Sequence, residues 1–172
     1  TVYLTGEASF AVQKDKEKPF IVKTTYLAVQ ALGTLFTVVS YPGDSCTSAI
    51  LEKGSIKVDV RSDEHQSEIL KPNEQLIYSH TAHTVTVQPV DASLYRLKRS
   101  GYLIYENVPF SLLMSSLERR FNVTIHYNSQ KYAGESYNVK FAPHETLEDV
   151  LNVLHQLIGI HYKIRENVVF IN

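Results

Sequence analysis

Cysteine is almost missing from this chain: Cys46 is the single one in 172 residues. That excludes an internal disulfide and a zinc site built on paired cysteines, and it leaves the redox compartment open. Tryptophan is absent altogether. Charge of neither sign is in excess, since 17 Lys+Arg against 18 Asp+Glu leave a formal charge of −1. The electrostatic footprint of a nucleic-acid binder is therefore lacking. No apolar run approaches the roughly 18 residues a membrane span needs. What is present is enough for a core: 44% hydrophobic and 20% charged residues argue against intrinsic disorder. The length allows one ordinary domain or two small ones. The chain opens at Thr1 in what already reads as a strand, with no signal peptide, as expected of a trimmed piece of something longer.

The usual marks of catalysis are missing as well. There is no strand–Gly-x-Ser-x-Gly–helix elbow and no glycine loop of the Walker type. The seven histidines are His65, His80, His83, His126, His144, His155 and His161. His80 and His83 could face one side of a turn, but no Cys or acidic residue stands near at ligand spacing, so a solvated strand end is expected there. Glu7, Glu52, Glu106 and Glu118 are scattered, with no pair that could serve as acid and base. Arg96, Lys98 and Arg99 read as part of a solvated connector. The eleven tyrosines raise the alternative of a glycan-stacking face, although Tyr26, Tyr41, Tyr78 and Tyr102 lie in or beside strands, where aromatics are favoured anyway. No catalytic residue, cofactor or metal site is assigned.

The organisation is clearer. Up to about residue 90 the chain reads as many short strands. Ala8, Phe10 and Val12 alternate with Ser9 and Ala11, and Ile56, Val58 and Val60 with Lys57 and Asp59, the period of half-buried strands. Further strands are expected at Phe20–Lys23, Tyr26–Ala31, Leu35–Tyr41, Thr47–Leu51, Glu74–Tyr78 and Val85–Gln88. Turn signals stand between them at Tyr41-Pro42-Gly43-Asp44, Lys53-Gly54 and Lys71-Pro72-Asn73. An all-β part over residues 1–90 follows, solenoid-like or sandwich-like.

After a polar linker at 91–100 the period changes to that of a helix. Phe110, Leu113, Met114, Leu117 and Phe121 form one stripe, Pro109 suits the first turn, and Val123, Ile125 and Tyr127 continue as a strand. The arrangement returns 37 positions later at Leu147, Val150, Leu151, Leu154 and Ile158, then Ile160, Tyr162 and Ile164. Asn122 falls on Gly159, two residue types that tolerate the left-handed end of a helix. Thr146 with Asp149 suggests a capping box. A duplicated β-α-β unit over 101–172 is expected, giving a β plus α+β fold overall.

Several segments resemble one family. Gly6-Glu7-Ala8-Ser9-Phe10-Ala11-Val12, then Lys18-Pro19-Phe20-Ile21-Val22-Lys23-Thr24, looks like the opening of the FecR-type sigma-factor regulators. Val29-Gln30-Ala31-Leu32-Gly33-Thr34-Leu35-Phe36-Thr37-Val38 is similar to that family's Leu-Gly-Thr-x-Phe core. Leu51–Val58, Leu70–Gln75, Gly101–Phe110 and Leu117–Val123 continue the likeness, the last two resembling the C-terminal segment of the Bacteroidetes branch. Three positions depart from the pattern: Asn73 where Gly is usual, Thr37 where Asn is common, and no Trp just before Gly101.

The resemblance implies the periplasmic region of a single-pass inner-membrane anti-sigma factor, with its upstream membrane helix and cytoplasmic segment outside this chain. The implied partners are the N-terminal signalling domain of a TonB-dependent outer-membrane transporter and, through the cytoplasmic segment, an extracytoplasmic-function (ECF) sigma factor. It also implies that the β-α-β part resembles the small secretin-and-TonB N-terminal (STN) fold. The transporter domain is expected at a sheet edge: Val168, Val169, Phe170 and Ile171 first, then Tyr102, Leu103, Ile104 and Tyr105. In some relatives the chain is cut at Gly-Thr by an acyl shift, and Gly33 with Thr34 has the atoms for it. Against that stands the reading of Gly33-Thr34 as a tight bend between core strands. The alternatives outside this family are a periplasmic carbohydrate-binding module and a non-catalytic accessory domain of a hydrolase.

Overall fold

The computed structural model describes residues 1–15, 17–61 and 66–172; His65 lies outside them. Two compact units are present, Thr1–Tyr95 and Arg96–Asn172.

The first unit runs β1 (Val2–Tyr3), β2 (Gly6–Ala11), β3 (Phe20–Lys23), β4 (Leu27–Ala31), β5 (Leu35–Ser40), β6 (Cys46–Lys53), β7 (Ile56–Val60), β8 (Ser67–Leu70), β9 (Glu74–Ser79) and β10 (Val85–Pro89). Among the described residues these make two five-stranded sheets, ordered β1-β3-β4-β7-β8 and β10-β9-β6-β5-β2. Of the two architectures expected, it is the sandwich that forms. Val22, Leu27, Val29, Ile56, Val58 and Leu70 from one sheet share a core with Phe36, Val38, Ala49, Leu51, Leu76 and Tyr78 from the other. The inward positions alternate along each strand, as period-two patterning requires.

The outward face of the second sheet carries its own small core. Ile50 is fully buried there beneath Ala92 and Tyr95, with Val39 and Val90 alongside. Asn73 organises this cover. Its φ of 65° is left-handed, as expected of a residue replacing glycine in a turn. Its carbonyl accepts from the Val90 N–H at 2.9 Å, and its side-chain Oδ1 accepts from the Ala92 N–H at 3.3 Å. Glycine could make the turn but not the second bond. The stretch 91–100 is therefore no bare linker. Helix α1 (Leu94–Arg99) occupies most of it, and Ala92 and Tyr95 find apolar surface to cover.

The second unit continues with β11 (Leu103–Pro109), α2 (Phe110–Phe121), β12 (Thr124–His126), β13 (Ser136–Phe141), α3 (Leu147–Ile158), β14 (Tyr162–Arg165) and β15 (Val168–Ile171). Both twelve-residue helices start and stop 37 positions apart. Each ends on a left-handed residue, Asn122 at φ 52° and Gly159 at φ 71°. The start signals differ. Thr146 and Asp149 form a full capping box on α3, whereas Pro109 caps α2 with no side-chain bond. The helices bury Leu113, Met114, Leu117, Val150, Leu151 and Leu154 against Ile125, Phe141, Val169 and Ile171. Two small sheets form: β11 antiparallel to β13, and β12-β15-β14 with β15 parallel to β12 and antiparallel to β14.

Candidate functional site

The Gly33-Thr34 peptide connects β4 to β5 at a crowded bend. Gly33 has φ +124°, where an L side chain is strained, and a Cβ there would lie 2.7 Å from the Lys14 Cα. From the other side, a Cβ on Gly54 would lie 2.7 Å from the Thr34 Cγ2 and 2.8 Å from the Gly33 carbonyl oxygen. Two glycines thus let three chain segments meet around one peptide bond. Thr34 extends the β2–β5 ladder: its N–H donates to the Val12 carbonyl at 3.1 Å, and its carbonyl accepts from the Val12 N–H at 2.8 Å. The residue is 5% exposed, and its hydroxyl has no hydrogen-bond partner. An unpaired buried hydroxyl costs on the order of 1–3 kcal/mol. The bend therefore sets an unpartnered Thr34 hydroxyl next to the Gly33-Thr34 amide, with no side chain in hydrogen-bond contact with that hydroxyl. The roles of Gly54 and Lys14 escaped the sequence reading, although Gly54 sat inside one of the family-like segments.

A second polar cluster closes one end of the sandwich. The His80 ring lies on Tyr26, with centroids 3.9 Å apart and planes 25° apart, and so clasps the two sheets together. Its Nε2 meets the Thr47 hydroxyl at 2.9 Å, which contacts the Ser40 hydroxyl at 3.3 Å. The ring also hydrogen-bonds the Asp44 backbone. Burial pushes the His80 pKa down, against a weaker upward pull from Asp44. His80 is thus a packed, bonded ring rather than a solvated strand end. His83 is exposed, and its Nδ1 meets the Tyr78 hydroxyl at 3.2 Å. Among the described residues no three His, Cys, Asp or Glu side chains come together as metal ligands. Burial first and Asp44 second push the Cys46 thiol away from its reactive thiolate form. Of the tyrosines, Tyr78 is core, Tyr26 lies on His80, Tyr102 sits under the Lys140 ammonium, and Tyr127, Tyr132 and Tyr137 pack around Phe110.

One expected docking edge is not an edge. Val168–Ile171 is the middle strand of its sheet, Val169 pairing with Ile125 on one side and Ile164 on the other. The parallel β12 partner precedes it by more than forty residues, a pairing no local pattern announces. Val169 and Ile171 face the core, while Val168 and Phe170 face outward. Tyr102 lies just before β11, and Leu103, Ile104 and Tyr105 open that strand, which pairs only with β13 among the described residues. Ile104 is buried and Tyr105 is held through its hydroxyl, 2.6 Å from the Ser116 Oγ.

A strand sandwich followed by a small helix-and-sheet unit makes a β-rich α+β protein. Two crystal structures of a provisionally assigned anti-sigma factor from Parabacteroides distasonis, at 1.65 and 2.50 Å resolution, share this architecture. They are each 29% identical to the chain, with TM-scores of 0.90 and 0.89, covering 99% and 98% of it and 78% of their own length. The FecR protein profile matches residues 2–57, and the FecR C-terminal profile matches residues 102–171. No curated protein matches. The chain belongs to the FecR family of anti-sigma regulators.

Proposed function

We propose that this chain is the periplasmic signalling region of a transmembrane anti-sigma factor, which senses a TonB-dependent outer-membrane transporter and relays its state to an ECF sigma factor. The observation that carries the reading is the order of the two FecR profiles, one on each unit, in the architecture shared with an anti-sigma factor. The partner outside the membrane is the transporter's N-terminal signalling domain. The sigma factor is held by a cytoplasmic segment beyond an upstream membrane helix; no helix among the described residues is long and apolar enough to cross a membrane. The C-terminal unit reads as a duplicated β-α-β of STN type, supported by the equal helix lengths, the 37-residue offset and the matched left-handed stops. The reading is tested in cells carrying a reporter for the sigma factor. Deleting this region while keeping the membrane helix and cytoplasmic segment should abolish the reporter's response to the transported substrate; an intact response would refute it.

Self-cleavage at Gly33-Thr34 belongs to the same proposal. The Thr34 oxygen adds to the Gly33 carbonyl carbon, its proton passes to the Thr34 nitrogen as the C–N bond breaks to leave an amine, and water opens the resulting ester to a Gly33 carboxylate and the free Thr34 hydroxyl. The positive φ of Gly33 and the close approach that Gly54 permits at the Gly33 carbonyl oxygen fix the backbone around this bond. Mass spectrometry of the purified chain should find two fragments meeting at this bond, and one intact species in Thr34→Ala. An intact wild-type chain removes the step.

A further inference from the structure

We infer that the transporter's signalling domain docks on the outward face of the β12-β15-β14 sheet, through side chains, and that it presents an acidic surface there. The inference rests on the signalling reading above. Six side chains make the face: Thr124 and His126 from β12, Val168 and Phe170 from β15, Lys163 and Arg165 from β14. On the opposite face of the same strands Ile125, Val169 and Ile171 lie in the core. Phe170 lies in the centre and is 41% exposed, with the His126 ring alongside at 5.4 Å and 30°. Lys163 pairs in register with Phe170 and Arg165 with Val168, so both cations flank the apolar pair. Neither cation takes part in an ion pair among the described residues, and no carboxylate belongs to the face.

An aromatic anchor with a neighbouring arginine is the composition of an interface centre. The uniform positive sign selects a partner with carboxylates. It also disfavours a second copy of the chain, because a symmetric pairing would set Lys163 and Arg165 of the two copies close together.

Strand addition fits less well on β12, β11 and β14, where the edge is blunted. On β12, the Ile125 N–H donates to the Glu118 Oε1 at 2.6 Å and is no longer free for a partner strand. The β11 ladder is broken by a bulge between Tyr105 and Val108, with Asn107 at φ 48°. The β14 edge carries Lys163 and Arg165, charges of the kind that discourage edge pairing.

The test is calorimetric titration of the purified signalling domain, from the transporter encoded with this chain, into wild type, Phe170→Ala and Lys163→Glu/Arg165→Glu. The substituted side chains are exposed, and circular dichroism confirms that each variant folds. Phe170→Ala should weaken binding by about tenfold or more. The double charge reversal should weaken it comparably and flatten its salt dependence. Wild-type affinity in both folded variants overturns the inference. No binding by wild type overturns the transporter reading itself, and a glycan-binding wild type replaces it. Dimerisation lost in Phe170→Ala assigns the face to a second copy and also overturns the inference.

Discussion

At His80 the fold asks one imidazole to stay neutral. Its Nε2 faces the Thr47 hydroxyl, and the ring also hydrogen-bonds the Asp44 backbone. Burial holds the folded-state pKa below the ordinary histidine value. The unfolded chain therefore binds this proton more readily than the folded one, and acid favours unfolding. The contribution is fully present above the unfolded pKa of about 6.5 and is lost as pH falls through the lower folded value. The thermal midpoint of the first unit should fall as pH drops from about 7.5 to about 5. His80→Gln, which keeps a donor and an acceptor without titrating, should make that slope shallower. Equal slopes by calorimetry would show that the clasp does not sense protons. Thr34 is the contrasting case, since its hydroxyl is buried with nothing to bond, and sequence offers no sign of such a state. The Gly-Thr pair was legible as a special backbone site; the crowding by Gly54 and Lys14 depends on segments distant in sequence.

The two long helices show what an element's own residues can and cannot decide. Both follow the apolar stripe to the residue, Phe110–Phe121 and Leu147–Ile158, because i, i+3, i+4 and i+7 positions leave little choice of face. Their starts differ in strength. On α3 the Asp149 carboxylate accepts from the Thr146 hydroxyl at 2.6 Å and from its N–H at 2.9 Å, which holds the Asp149 pKa below the usual carboxylate range. Thr146→Ala should cost the second unit about 1 kcal/mol. A chemical-denaturation midpoint unchanged by that substitution would mean the cap adds nothing. Strands were less legible where burial is uneven. In β8 only Leu70 is buried, so Ser67–Leu70 shows no alternation; β1 is two exposed residues held by a parallel partner, β3. The order of strands is set by such distant pairings, which is why β15 read as an edge and proved central.

At the scale of the whole molecule, the division near residue 95 follows from the change of period, but its placement follows from packing. Tyr95 and Ala92 belong with the sandwich because Ile50 needs covering. A fragment ending at residue 95 should therefore be more stable than one ending at residue 90. Burying a side chain of that size contributes about 2 kcal/mol, or roughly 10 °C in the thermal midpoint of a small unit. Indistinguishable midpoints would place the boundary earlier.

The strip from Val90 to Tyr95 is also the rope by which the second unit is tied to the first, since α1 begins inside it. A pull on the C-terminal unit would not load the sandwich's ladders together. It would reach first the Tyr95 contact on Ile50, then the Ala92 bond to the Asn73 side chain, then the Val90 bond to the Asn73 carbonyl, one after another. Links met singly give way at far lower force than links that share a load. Tension along the chain would thus peel the strip, lengthen the tether and bare Ile50, while both sheets stayed whole.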